Sequence, residues 1–163
     1  MKLNIRLLIV LFVLTVFAIS SFQATPPPTL NVQKDSHISL IGGNLGSRMM
    51  NYGLFETEMH VRYPDYNLYI RNMCDGGDTP GFRPHASRNL PWAFPGAEKF
   101  QTEYAKNSES EGHFDSPDQW LTRLKTDIII AMFGYSESFL GKAKLDIYKA
   151  ELDAFIKYTL NQK

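Results

Sequence analysis

The sequence predicts an α/β fold built on a parallel sheet, because short apolar runs typical of strands alternate with segments of helical periodicity. Three strand-like segments begin at His37, Asn67 and Asp127, and most of their residues are apolar. Each segment is followed by a turn that contains glycine and polar residues. Helical patterns follow the first and the third segment. Because the carboxyl ends of parallel strands lie at one edge of the sheet, we expect the three turns to meet in one crevice.

The first strand is predicted over residues 37–41, followed by one helix that runs from Gly46 to Arg62. Pro64 disfavours helical geometry at the residue before it and therefore ends this helix. The second strand is predicted over residues 67–70, after a proline-aspartate turn.

A long irregular stretch, residues 72–94, is rich in Gly, Pro, Arg and Asn. Loops of this length in a compact domain are usually functional or poorly ordered. A short helix is predicted over residues 95–105, and a polar, solvent-exposed loop over residues 106–114.

The C-terminal part is predicted to form a helix, a strand and a second helix. Ser116 and Pro117 start the first helix, residues 117–125, as a hydroxyl cap followed by a first-turn proline. The strand over residues 127–133 is apolar without alternation, as expected for a central strand covered on both faces. The last helix, residues 141–162, carries one apolar stripe. The stripe consists of Leu145, Tyr148, Leu152, Phe155, Ile156 and Leu160.

The N-terminal residues have the features of a secretory signal peptide. Residues 1–24 combine two cations, Lys2 and Arg6, with a continuous apolar run that is short for a bilayer span. An uncleaved N-terminal anchor is the alternative, and both place the rest of the chain in the periplasm or the extracellular space. A proline-rich linker over residues 25–35 then leads to a domain over residues 36–163, with no membrane contact expected after cleavage.

Charge and cysteine content exclude several classes of protein. The 17 basic and 17 acidic residues balance, so nothing favours nucleic acid as a partner. Cys74 is the only cysteine, which excludes an internal disulfide and a zinc site built on several thiolates. Asp75 and Asp78 are not spaced like the ligands of a calcium loop. We therefore infer no metal and no cofactor.

The three strand ends carry the motifs GGNL at 42–45, RNMCDGGDT at 71–79 and GYSE at 134–137. Together these motifs resemble the blocks of the SGNH/GDSL hydrolases, which are secreted esterases and lipases. The first block of that family reads Gly-Asp-Ser-Leu, and the chain has GGNL at 42–45. The second commonly reads Arg-Asn-x-Gly-x-Ser-Gly-Asp-Thr, and the chain has RNMCDGGDT at 71–79. The third reads Gly-x-Asn-Asp or Gly-x-Asn-Glu, and the chain has GYSE at 134–137. The third block is similar to a "GYNES" branch, some members of which sit in large chains beside haem-binding regions.

This resemblance implies a flavodoxin-like three-layer α/β/α fold and hydrolysis of acyl or carbohydrate esters. It also assigns roles at the catalytic positions. Asn44 replaces the nucleophilic serine, Gly77 matches the glycine whose N–H helps to hold the oxyanion, and Ser136 replaces the oxyanion asparagine. The general base of the family is a histidine in a C-terminal Asp-x-x-His motif. All four histidines of this chain precede the third block, so that base is missing.

Five further residues are assigned to ligand binding at the same crevice. They are Gly43, Ser47, Asp78, Arg83 and Glu137.

Several of these residues have a plain structural alternative. Asn44 either contacts a substrate carbonyl or is a turn residue that tolerates left-handed geometry. Gly77 either contacts an anion through its N–H or only meets the geometric needs of the turn. Ser47 is either a displaced nucleophile or a first-turn serine that satisfies backbone N–H groups. Glu137 either functions at the site or caps Ser47 or the chain after it. Arg83, with His85 and Arg88, suits an acidic sugar or carboxylate, or lies in a solvated loop.

Three hypotheses follow. The first is an SGNH-like ester hydrolase domain, inactive because Asn44 replaces the nucleophile and the C-terminal Asp-x-x-His is absent. The second is an exported, non-catalytic module on the same fold that binds a glycan or a protein. The third is a truncated reading frame without a stable product.

Because the third strand and its helix close the sequence, we also expect an incomplete domain, the N-terminal part of a larger one.

Overall fold

In the computed structural model of the chain, residues 29–85, 89–100, 112 and 117–162 are described. By residue contacts the chain divides into two units, Met1–Asn31 and Val32–Lys163, and the fold below is that of the second. The predicted signal peptide lies outside the described residues. No helix in the described part of the chain is both long and apolar enough to cross a bilayer.

The second unit has an α/β fold with a three-stranded, all-parallel sheet, as predicted. Strand β1 (His37–Gly42) lies in the centre, with β2 (Tyr69–Asn72) on one side and β3 (Ile128–Met132) on the other. In this register Ile38 pairs with both Ile70 and Ile128. The order β2-β1-β3 is the beginning of the flavodoxin-like order, whose ligand crevice lies between β1 and β3.

Helices cover both faces of the sheet. The chain forms α1 (Asn44–Met49), α2 (Leu54–Arg62), α3 (Pro117–Arg123), α4 (Tyr135–Ser138) and α5 (Leu145–Leu160). Ile38 and Leu40 of β1 pack with the side of the sheet that carries α1 and α2, and Ile41 packs with α3 and α5 on the other. Alternate residues of β1 therefore belong to two hydrophobic cores, one on each face of the sheet, and the strand is buried on both faces.

The predicted continuous helix between Gly46 and Arg62 is wrong, because the structure has two. Helix α1 ends at Met49, and α2 begins at Leu54 after a short turn. Gly53 precedes α2 with φ +59°, a left-handed conformation that the interior of a helix does not contain. α1 is thus a short segment placed directly at the end of β1.

The third strand, predicted to be central and fully covered, lies at one edge of the sheet that the described strands form. There β3 pairs with β1, and its residues are half-buried apart from the exposed Ala131. β1 holds the central position. A uniformly apolar sequence indicates burial but does not tell which strands are its neighbours.

The remaining boundaries differ in smaller ways. The short helix predicted from residue 95 is a 3-10 turn at Ala97–Phe100, and its continuation lies outside the described residues. Another 3-10 turn, Lys142–Lys144, precedes α5. In α3, Trp120 and Leu121 are buried. The proposed Ser116 cap lies outside the described residues.

The apolar stripe predicted on the last helix is rotated in the structure. α5 buries Glu151, Phe155 and Thr159, whereas Ile156 and Leu160 are exposed at 47% and 67%. Glu151 turns inward because its Oε1 accepts hydrogen bonds from two groups of the long loop, the Thr79 hydroxyl and the Gly81 N–H, both at 2.9 Å. Its burial fastens that loop against α5.

Candidate functional site

The candidate site begins where β1 passes into α1. Gly42 has φ +138°, and a Cβ atom on this residue would overlap the backbone carbonyl of Met132 at the end of β3. The Gly43 N–H donates to that same carbonyl at 3.2 Å. The first and third turns are therefore held together by backbone contacts that only glycine permits at position 42.

The second turn joins them at the same edge of the sheet. The Asp75 N–H donates to the Gly42 carbonyl at 2.9 Å, which fastens this turn to the end of β1. A Cβ atom on Gly43 would lie 3.2 Å from the Asp78 carbonyl oxygen and 3.9 Å from Ser136 Oγ. A Cβ atom on Gly76 would lie 3.0 Å from Asn44 Oδ1. All three turns thus meet in one crevice, as the sequence predicts.

Three polar groups of this crevice have unused hydrogen-bonding capacity. The Asn44 side-chain amide, the Gly77 N–H and the Ser136 hydroxyl make no hydrogen bond to any described residue. Asn44 and Gly77 are exposed and Ser136 is half-buried, so solvent reaches all three. We call these three residues, Asn44, Gly77 and Ser136, the crevice triad.

Of the five predicted binding residues, Gly43 is buried within the crevice wall, and Ser47 lies half-buried on α1. The Ser47 side chain makes no hydrogen bond to a described residue, so the predicted backbone-satisfying role is not seen. Glu137 does not cap Ser47. Its Oε2 accepts from the Gly134 N–H at 2.9 Å and thereby fixes the third turn, while its Oε1 is buried without a partner among the described residues.

Arg83 and Asp78, both assigned to ligand binding, are buried against each other, and Arg83 does not lie in a solvated loop either. Arg83 Nη1 lies 3.2 Å from Asp78 Oδ2, and the side chains are 8% and 5% exposed. The guanidinium also lies 4.7 Å from the ring centre of Phe133 and 5.6 Å from that of Phe155. The pair therefore fixes the long loop to β3 and α5 and is not placed to meet a ligand in solution.

This burial changes the protonation of neighbouring groups. Burial raises the pKa of Asp78 from 3.8 to about 7, although the Arg83 charge and hydrogen bond lower it. Burial also raises the pKa of Cys74 to about 12, with Arg83 opposing the shift. Cys74 is therefore a protonated, fully buried thiol at neutral pH and lacks the thiolate that a nucleophile requires.

His85, which the sequence analysis groups with Arg83 and Arg88 as ligand contacts or residues of a solvated loop, lies beside the second turn. His85 Nε2 lies 3.8 Å from Asp75 Oδ2, and the two side chains are 21% and 27% exposed. The motifs of the strand ends do not include His85, and only the path of the long loop brings it to the second turn.

A groove of about 660 Å³ adjoins the crevice at Ser136. Its walls are largely apolar, and its polar groups include the Tyr148 hydroxyl, whose pKa is raised by burial and by Glu137 and Glu151. Two lysines, Lys99 and Lys144, also line it.

Within the described residues no three His, Cys, Asp or Glu side chains come together in a way that would hold a metal ion. No protein-family model matches the chain, and no curated protein or solved structure is similar to it. The relation to the SGNH hydrolases therefore remains a prediction carried by the three motifs.

Proposed function

We propose that the chain is an SGNH-type ester hydrolase domain whose crevice binds the carbonyl of an ester but does not cleave it. The observation that carries the proposal is the convergence of the three motif turns, with Asn44 beside Gly76 and Gly43 beside Ser136. The three motifs are far apart in sequence, and the resemblance predicts this meeting.

The crevice triad has the chemistry that a carbonyl requires. A carbonyl oxygen accepts hydrogen bonds, and the Gly77 N–H and the Ser136 hydroxyl are both donors without a partner among the described residues. The Asn44 amide adds a further donor and an acceptor. A ligand that fills these positions recovers hydrogen bonds that the crevice otherwise makes only with water.

Cleavage through an acyl-enzyme requires a nucleophile that a neighbouring base can deprotonate. The Asn44 amide is not such a group. Of the oxyanion donors, Gly77 remains and Ser136 stands where the family has asparagine, and losing one such donor typically costs about 10²–10³ in rate. We therefore expect binding without turnover.

The test measures binding and hydrolysis separately. Saturation-transfer NMR with phenyl acetate is expected to show binding to the native protein, weaker binding to Asn44→Ala and unchanged binding to Asn51→Ala. Asn51 is a matched control because it is an exposed asparagine in the turn after α1. Phenol, which lacks the carbonyl, is expected to bind less than the ester.

Two results would contradict the proposal. One is hydrolysis of p-nitrophenyl acetate by the native protein that disappears in Asn44→Ala, because Asn44 would then support catalysis. The other is phenyl acetate binding that is the same in Asn44→Ala and Asn51→Ala, because the crevice would then not be the site.

A second candidate is an exported module that binds a glycan through the groove beside Ser136. The observation that favours it is the combination of apolar walls with hydroxyl groups, which suits a sugar ring and its polar edge. A glycan array is expected to give hits that Ile147→Glu abolishes, since Ile147 lines the groove. Ile156→Glu is the control, because Ile156 has a similar exposure, 47% against 42%, on the same helix. An array without hits argues against this candidate.

A further inference from the structure

The crevice lies beside a groove that two of its turns help to line. Thr79, which directly follows Asp78 in the second turn, and Ser136 of the crevice triad both line this groove of about 660 Å³. A Cβ atom on Gly43 would lie 3.2 Å from the Asp78 carbonyl oxygen and 3.9 Å from Ser136 Oγ. The two spaces therefore share the second and third turns, and a ligand held at Ser136 has the groove directly beside it.

The walls of the groove are largely apolar. Its large apolar side chains are those of Phe100, Leu140 and Ile147, and the last two are 44% and 42% exposed. A ligand chain that covers these side chains removes both its own apolar surface and theirs from water, which favours binding. The volume lies within the range of about 300–1,000 Å³ that is usual for small-molecule sites.

Exposed apolar side chains also adjoin the crevice itself. Helix α1, which begins at Asn44, contacts helix α4, which contains Ser136. Leu45 follows Asn44 and is 62% exposed, and Tyr135 precedes Ser136 and is 55% exposed. The Phe139 ring, 75% exposed, packs edge to face on the Tyr135 ring, with the ring centres 5.3 Å apart. Large apolar side chains thus adjoin two members of the triad, which favours an apolar ligand over one rich in hydroxyl groups.

The charged groups of the groove favour an uncharged ligand. They are two lysines and three carboxylates, namely Lys99, Lys144, Glu137, Asp146 and Glu151. Glu137 Oε2 and Glu151 Oε1 each accept a hydrogen bond from a backbone N–H at 2.9 Å. Asp146, whose side chain is 98% exposed, pairs with Lys149 at 3.7 Å. Both signs of charge are therefore present, and each carboxylate already has a donor or a cation of the protein beside it.

We infer that the ligand of the crevice is an ester with an apolar chain, whose carbonyl contacts the crevice triad and whose chain lies in the groove beside Ser136. The inference rests on the proposed function and favours an apolar ester over the carbohydrate ester that the resemblance also allows. The two parts of the ligand have separate contacts, since Asn44 meets the carbonyl and Ile147 meets the chain. Each contact can therefore be removed by itself.

The test lengthens the ester and leaves its carbonyl unchanged. Binding of ethyl acetate, ethyl hexanoate and hexyl acetate to the full chain is measured by NMR titration, so that the chain is extended once on the acyl side and once on the alcohol side. Each methylene group that is fully buried strengthens binding about fourfold. With partial burial, the better of the two long esters should bind at least about tenfold more tightly than ethyl acetate. 6-O-acetylglucose, in which a sugar replaces the chain, is expected to bind no more tightly than ethyl acetate.

Variants locate the gain in the groove. Ile147→Glu is expected to abolish the advantage of the longer ester, and Leu140→Ser, in the same wall, is expected to lower it. Ile156→Glu is the control, because Ile156 lies on the same helix at a similar exposure, 47% against 42%, and does not line the groove. Asn44→Ala is expected to weaken the binding of every ester by the same factor. Circular dichroism verifies the fold of each variant.

Equal affinity of ethyl acetate and the two longer esters overturns the inference and leaves the proposed function standing. A gain that Ile147→Glu and Ile156→Glu affect alike does the same. Tighter binding of 6-O-acetylglucose than of the longer esters also overturns it, in favour of a carbohydrate ester. If no ester binds in a way that depends on Asn44, the proposed function fails, and this inference with it.

Discussion

Replacing Asp78 by asparagine should remove a pH dependence of stability that has an unusual direction. A surface carboxylate in an ion pair usually stabilises a fold as the pH rises. Asp78 is buried at 5% exposure, its Oδ1 has no partner among the described residues, and burial raises its pKa from 3.8 to about 7. Burial outweighs the contact with Arg83, so the folded chain binds this proton more tightly than the unfolded chain does.

The size of the effect follows from the shift in pKa. About three pKa units at about 1.36 kcal/mol each give about 4 kcal/mol. Because the folded-state pKa is raised, Asp78 contributes most to the free energy of unfolding below pH 3.8. That contribution falls as the pH rises towards 7 and is constant above it.

The assay is urea denaturation followed by circular dichroism at several pH values between 4 and 8. The difference in unfolding free energy, native minus Asp78→Asn, should decrease by about 4 kcal/mol across this range. Asp146→Asn is the control, since the Asp146 side chain is 98% exposed. A difference that increases with pH would refute the reasoning, because the ion pair with Arg83 would then outweigh burial.

Three further predictions concern packing and are measured as urea midpoints by circular dichroism. Gly46→Ala should destabilise the fold by about 1–3 kcal/mol, because its Cβ would overlap Cys74 Sγ, and Cys74→Ala should relieve part of this loss in the double variant. Phe155→Ala should cost about 3–5 kcal/mol, whereas Leu160→Ala, at a residue 67% exposed on the same helix, should change stability by less than about 0.5 kcal/mol. Glu151→Ala should cost about 1–3 kcal/mol, because the buried Gly81 N–H loses its acceptor. Equal effects at Phe155 and Leu160, or a neutral Glu151→Ala, would contradict the packing described for α5.

The sequence predicts the fold class and the edges of β1 well, because strand periodicity and the Gly42 turn are local signals. Other features depend on tertiary contacts. The break before α2 depends on the left-handed geometry of Gly53, which as an isolated glycine is compatible with a helix. The buried face of α5 is displaced because Glu151 finds donors in a loop that is distant in sequence.

The meeting of the three turns was predictable for a similar reason, and the position of His85 was not. The turns at Asn44, Gly77 and Ser136 follow directly from strands, so the rule that parallel strands end at one edge places them together. His85 lies in a loop without regular structure, and no periodicity indicates where its side chain goes. Arg83 fits neither of its two predicted roles, a ligand contact or a solvated loop, because its burial depends on Asp78 and two aromatic rings that only the folded loop brings close.

The measurement that tests the central claim most directly is a two-dimensional NMR titration of the native protein with phenyl acetate. The account predicts that the Asn44 side-chain amide and the backbone amides of Gly77 and Ser136 shift together along one binding curve, with the ester left intact. Shifts confined to Ile147 and its neighbours in the groove, or shifts that leave the three turns unchanged, would contradict it.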